Sequence, residues 1–134
     1  MVFVDTSAFL ATKNRRDARH VEAVRLKERL LGAGRTLVTS DYVLDESYTI
    51  IRLRAGHRVA VEFGEELRGS RLIRITHVTP ELIEKAWALF KRFSDKDFSF
   101  TDCTSFTVMR ELGLREALAF DGHFVQAGFA EVRR

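Results

Sequence analysis

Two kinds of apolar run alternate along the chain. Met1-Val-Phe-Val4 is short, unbroken and ends on Asp5, the pattern of a strand buried on both faces of a parallel sheet. From Asp17 to Leu31 the spacing turns helical, with Val21, Val24, Leu26, Leu30 and Leu31 marking the inward side, until Gly32-Ala-Gly34 stops it. Thr36-Leu-Val-Thr39 predicts a second strand, and Ser40 is placed to cap a helix that runs to Ala55 before Gly56. A helix from Val59 to Arg68 and a strand over Leu72-Ile-Arg-Ile75 follow. Thr79-Pro80 combines a capping hydroxyl with a first-turn proline. Behind it Leu82, Ile83, Ala86, Leu89, Phe90 and Phe93 form an amphipathic stripe. After a charged loop over 94–99, Thr101 is the predicted cap of a helix to Leu112, closed by Gly113. Ala117-Leu-Ala-Phe120 is a fourth strand running into Asp121, and Ala130-Glu-Val132 a candidate fifth.

Strands and helices in alternation mean βαβ units with right-handed crossovers. The predicted fold is a Rossmann-like three-layer α/β/α sandwich around a central parallel sheet of four to five strands, in one domain over residues 1–134. In such sheets a ligand sits beyond the carboxyl ends of the strands, where the strand order reverses.

Composition narrows the setting. With 46% hydrophobic residues the chain has enough to build a core. Lys and Arg exceed Asp and Glu by three, a mild basic balance that permits a polyanionic partner. Cys103 is the sole cysteine, so no internal disulfide or thiolate metal cluster is available, and a reducing, cytoplasmic compartment is expected. No apolar stretch is long enough for a membrane span, and the start lacks the basic region of a signal peptide.

Acids occupy the positions that carry chemistry. Asp5 and Asp121 each follow a predicted strand, which places both on one edge of the sheet. The inward stripe of the helix from Ser40 contains Val43, Leu44, Ser47, Ile50 and Ile51. Asp45 falls opposite that stripe, and Glu46 at its margin, about 40° from Ile50. Asp102 lies in the first turn of its helix and shares a face with Phe106 and Met109. Asp97, in the preceding loop, is a weaker candidate. Taken singly, each acid also has an ordinary role as an Asx-turn, a helix cap or a solvated side chain. Taken together, Asp5, Glu46, Asp102 and Asp121 are expected to converge, and carboxylates that close repel unless protonated or bridged by a cation. Hard oxygen donors select Mg²⁺ or Mn²⁺ over zinc. The chemistry such a site suggests is metal-assisted hydrolysis of a phosphodiester.

The ordered set Val4-Asp5-Thr6-Ser7, Val43-Leu44-Asp45-Glu46, Ser99-Phe100-Thr101-Asp102-Cys103 and Ala119-Phe120-Asp121-Gly122-His123-Phe124, closing on Gly128-Phe129, resembles the PIN domain over essentially the whole chain. Small single-domain members are mostly toxins of VapBC-type toxin–antitoxin pairs. The resemblance implies a Mg²⁺- or Mn²⁺-dependent endoribonuclease acting on RNA. It implies metal binding by Asp5 and Asp102, joined by Asp121, with Glu46 completing the acidic site. Thr6 and Ser7 would orient a carboxylate or a water. A homodimer and a cognate antitoxin are implied as well, and with no apolar span no membrane partner is expected. Cys103, Thr104 and Ser105 stand where many relatives carry small alanine-like residues, a departure that bears on packing.

Other features stay open. Seventeen of the 22 basic residues are Arg, clustered at Arg15, Arg16 and Arg19 and at Arg52, Arg54 and Arg58 with His57. Either phosphate contacts or a solvated face accounts for them. The residues that contact RNA are not identifiable at this level. The eleven Phe residues favour core packing or a dimer face. His123 is expected to play a local structural role, and Arg133-Arg134 to fray. A nucleotide-cofactor enzyme is disfavoured because no GxGxxG or GxxxxGK[ST] exists. An aspartyl-phosphate phosphatase would want an acid at Ser7. The alternative that stands is a catalytically inactive PIN-fold module that binds RNA or protein.

Overall fold

The computed structural model describes residues 1–133; Arg134, half of the pair expected to fray, lies outside the described residues. The elements run β1 (Val2–Val4), α1 (Thr6–Lys13), α2 (His20–Gly32), β2 (Leu37–Ser40), α3 (Asp41–Ala55), α4 (His57–Gly69), β3 (Ile73–Thr76), α5 (Pro80–Arg92), α6 (Phe100–Leu112), β4 (Glu116–Leu118), α7 (His123–Gln126) and β5 (Ala130–Glu131). All five strands are parallel, in the order β3-β2-β1-β4-β5. Val2 pairs with Leu37, and Phe3 with both Val38 and Ala117. β1 and β2 are wholly buried, whereas β3, on the edge, leaves Arg74 and Ile75 exposed.

The chain steps outward from β1 to β2 and β3, then returns past β1 to β4 and β5. With right-handed crossovers that reversal puts α1–α4 on one face and α5–α7 on the other. Within each group α1 packs on α2 and α3, α3 on α4, α5 on α6, and α6 on α7, while α3 and α6 also touch each other. The point of reversal lies between β1 and β4.

Several expectations are corrected. An unpredicted helix, α1, begins straight after Asp5, because Asp5 caps it by accepting the Ser7 backbone N–H. The short α7 is likewise unpredicted. β4 ends at Leu118, so Asp121 stands beyond two further residues, Ala119 and Phe120, and not at the strand end. Ser99, not Thr101, caps α6. In α2 the buried residues are Ala23, Leu26 and Leu30, and Val21 is exposed.

α6 is the central helix. Residues 102 to 109 are buried without a break, because the helix is covered on its outer side by α5. That leaves α5 half in solvent, with Trp87 and Phe90 exposed although the amphipathic stripe points Phe90 inward. Under it Phe98, Phe106 and Phe124 pack edge to face at 4.9 and 5.1 Å. Cys103 lies in this core as a small apolar group, and burial pushes its thiol up to about 11.

Candidate active site

Three segments deliver acids to the reversal point. Asp5 leaves β1 with its backbone N–H donating to the Leu118 carbonyl of β4, at 3.1 Å. Its carboxylate, 2% exposed, accepts the Ser7 N–H at 3.1 Å and the Ser7 hydroxyl at 2.7 Å. The Ser7 oxygen in turn accepts the Phe120 N–H at 3.1 Å. One hydroxyl therefore ties the Asp5 carboxylate to the turn that carries Asp121. Thr6 turns the other way: its hydroxyl donates to the Val43 carbonyl and accepts from Ser47, joining α1 to α3. Of the two hydroxyls expected to orient a carboxylate, Ser7 touches one and Thr6 serves the helix contact.

Asp102 is held by the start of its own helix. Ser99 Oγ accepts the Asp102 N–H at 2.9 Å, and Asp102 Oδ2 accepts the Ser99 N–H at 3.0 Å, a reciprocal capping box. The same Oδ2 lies 2.7 Å from His123 Nδ1. Asp121 is more exposed and accepts the His123 N–H at 3.1 Å, while its other oxygen stands 3.6 Å from His123 Nδ1. Between them Gly122 takes a left-handed φ of 78°, a conformation few other residues adopt cheaply. This tight turn puts Asp121 and His123 on one side.

His123 is the site residue that sequence reasoning underrates. Its ring bridges the two aspartates and packs edge-on against Phe98 at 5.7 Å. The available signal is its place two residues after Asp121, which reads equally well as a helix start. Ligand atoms of Asp102, Asp121 and His123 all lie within 4.8 Å of one another. Asp5 stands outside that set but close enough to feel it.

The electrostatics show a site short of positive charge. Burial pushes the Asp5 carboxyl up to about 7, with the Asp121 and Asp102 charges adding to it and the Ser7 hydrogen bonds opposing. Burial also raises Asp102, against the pull of the Ser99 N–H and of His123. Burial alone would lower His123, but Asp121, Asp102 and Asp5 outweigh it and hold the imidazole above its ordinary value. The donors fit a hard divalent cation: carboxylate oxygens clustered around a single imidazole, with an internal repulsion that a cation relieves.

Glu46 is not among the ligand atoms that lie within 4.8 Å of one another. It is half-buried on the flank of α3, with Asp45 exposed, as the helical spacing requires. Among the described residues its side chain makes no hydrogen bond or ion pair, and it is absent from the charges that shift Asp5 and Asp102. Its place is one residue from Ser47, whose hydroxyl reaches Thr6 beside Asp5. Asp97 is an exposed loop acid outside the cluster.

The PIN domain family matches this chain over residues 2–130. The chain belongs to the PIN-domain family. A 23S rRNA-specific endonuclease, VapC20 of Mycobacterium tuberculosis, is 45% identical over 133 residues, which is 99% of this chain and 98% of that protein. A VapC ribonuclease of Archaeoglobus fulgidus is 30% identical over 90% of this chain and 77% of its own. The crystal structure of VapC20, described as a sarcin–ricin loop cleaving toxin, covers both chains fully with a TM-score of 0.91 at 43% identity. VapBC2 of Rickettsia felis, bound to a promoter DNA fragment, superimposes with a TM-score of 0.71 at 10% identity over 98% of both chains, a likeness of fold alone. Among the described residues of this PIN-domain protein, no helix is long and apolar enough to cross a membrane.

In this PIN-domain chain Ser7 offers a direct test of the acidic site's support. Ser7→Ala removes a donor to Asp5 and strands the Phe120 N–H. It is expected to cost about 1–2 kcal/mol of stability and to lower nuclease activity by about 10–100-fold. Thermal melts and single-turnover cleavage rates measure the two effects.

Proposed function

We propose that this chain is an endoribonuclease that hydrolyses a phosphodiester bond in RNA with Mg²⁺ or Mn²⁺, and that it acts as the toxin of a toxin–antitoxin pair. The observation that carries the reading is the meeting of Asp5, Asp102 and Asp121, from three separate segments, with His123 at the reversal point of the sheet. Identity of 45% across nearly the whole chain to a 23S rRNA-specific endonuclease supports the same class of substrate. It makes the sarcin–ricin loop of 23S rRNA the first substrate to try. The VapC names of both relatives support an antitoxin as the protein partner.

Asp5, Asp102 and Asp121 would hold the cation, and Glu46 flanks them from α3. When bound, the divalent ion supplies Lewis-acid stabilisation of charge on the phosphate and favours ionisation of the attacking water. The chain's own residues prepare for this. Ser7 fixes the Asp5 carboxylate, and Ser99 fixes that of Asp102. Asp121, on its glycine turn, faces solvent and the approaching substrate. His123 Nδ1 stands between Asp102 and Asp121, and their charges favour its protonated form.

The test is a synthetic hairpin bearing the sarcin–ricin loop, incubated with purified protein and Mg²⁺, Mn²⁺ or EDTA. Cleavage in either metal and none in EDTA is the expected result. Binding of the hairpin with no cleavage in any metal would replace the enzyme by a binding module.

A further inference from the structure

Two arginine groups far apart in the sequence meet in the fold. Arg15 and Arg16, between α1 and α2, face Arg54 at the end of α3 and Arg58 at the start of α4 across one open cleft of about 720 Å³. With Lys13, five Lys and Arg side chains line it against the single carboxylate of Glu62. Glu62 stands 3.7 Å from Arg58, and Lys13 is paired with Glu66. Among the described residues Arg15, Arg16 and Arg54 make no ion pair. Gathering like charges without partners works against folding unless a polyanion uses them.

Two side-chain acceptors pin the backbone of the loop that carries Arg15 and Arg16. Asn14 Oδ1 accepts the Arg16 N–H at 3.2 Å, and Asp17 Oδ1 accepts the Arg19 N–H at 2.8 Å. At its far end Arg19 sets its guanidinium 5.8 Å from the centre of the Phe120 ring, one residue before Asp121. One short loop thus borders the acidic site at one end and lines the basic cleft at the other. Four of the five cations are Arg, whose planar fork suits phosphate oxygens. A peptide partner would want apolar anchorage, and Ala55 and Val59 are the aliphatic side chains in the lining.

We propose that this cleft is the docking surface for the RNA phosphate backbone on one side of the cleaved bond. The proposal rests on the ribonuclease reading and adds where the substrate is held. It makes the cleft a determinant of binding, separate from the chemical step.

The experiment compares a triple variant, Arg15→Gln/Arg16→Gln/Arg54→Gln, with a charge-matched control, Arg71→Gln/Arg74→Gln/Arg115→Gln, whose arginines are exposed elsewhere. Dissociation constants for the sarcin–ricin hairpin are measured over a salt series on an Asp102→Asn background, so that the RNA stays whole. KM and kcat are measured on the active protein. The cleft variant is expected to raise Kd and KM about 10-fold or more with kcat unchanged. Its slope of log K against log salt should shrink by roughly 0.7–0.9 for each phosphate that is no longer neutralised, and Lys at the three positions should restore most of the affinity. Equal losses in the control, or an unaltered Kd and slope in the cleft variant, would overturn the assignment. So would intact RNA affinity combined with lost inhibition by the antitoxin, which would give the cleft to the protein partner. If the wild type neither binds nor cuts the hairpin, the ribonuclease reading fails with it. If the wild type cuts and the cleft variant matches it, the cleft assignment alone fails.

Discussion

Asp102→Asn is expected to reduce metal-dependent RNA cleavage on the order of 10³-fold, the scale at which removing a charge-stabilising group from a preorganised site acts. The substitution is chosen for what it leaves alone. Asn keeps an oxygen that can accept the Ser99 N–H, and its own backbone N–H still donates to Ser99 Oγ, so the capping box of α6 survives. The loss is therefore of charge, not of the helix start. Removing one of several mutually repelling carboxylates should leave the metal-free protein at least as stable as the wild type. Full cleavage by the variant, with Mg²⁺ or Mn²⁺ present, would take Asp102 out of the chemistry. A large fall in melting temperature would show that its role is structural.

The second large effect is a dependence of metal-free stability on pH. The Asp5 carboxyl stands at about 7 in the fold against an ordinary 3.8. Between those values the native state binds the proton that the unfolded chain has released, so stability falls as pH rises through the window. The raised values of Asp102 and His123 act in the same direction. For Asp5 alone the shift corresponds to about 4 kcal/mol once it is ionised, a large share of the 5–15 kcal/mol typical of a whole domain. Urea unfolding in EDTA should show greater stability at pH 5 than at pH 8. Asp5→Asn should flatten that profile and exceed the wild type at pH 8. A saturating divalent cation should recover the loss, by about 2.7 kcal/mol at a hundred times its dissociation constant. Stability that is constant or rises from pH 5 to pH 8 in EDTA would contradict a crowded, cation-poor site.

Much of this arrangement is written locally. Short apolar runs separated by helical periodicity suffice for a parallel α/β sheet, since a strand with no polar face has to be covered on both sides. The caps Ser40 and Thr79 accept backbone N–H groups as their positions predict, because capping depends on residues two or three positions away. The same locality explains the failures. α1 has too weak an apolar stripe to announce itself, and it starts where it does because Asp5 serves as cap and site residue together. Thr101 and Ser99 are both chemically suited to cap α6; the reciprocal bond with Asp102 favours Ser99.

Residue types and order along the chain settled the layered parallel architecture, the family, and which acids were worth watching, because those properties follow from periodicity and short-range hydrogen bonding. Tertiary structure alone decided which of those acids meet. The β1–β4 pairing brings Asp5 beside the Asp121 turn, the Gly122 turn swings His123 onto Asp102, and Glu46 is left on the flank of α3. It also decided that Arg15 and Arg16 share a cleft with Arg54 and Arg58. Contacts of this kind depend on how separate elements pack, and no window of neighbouring residues contains that information.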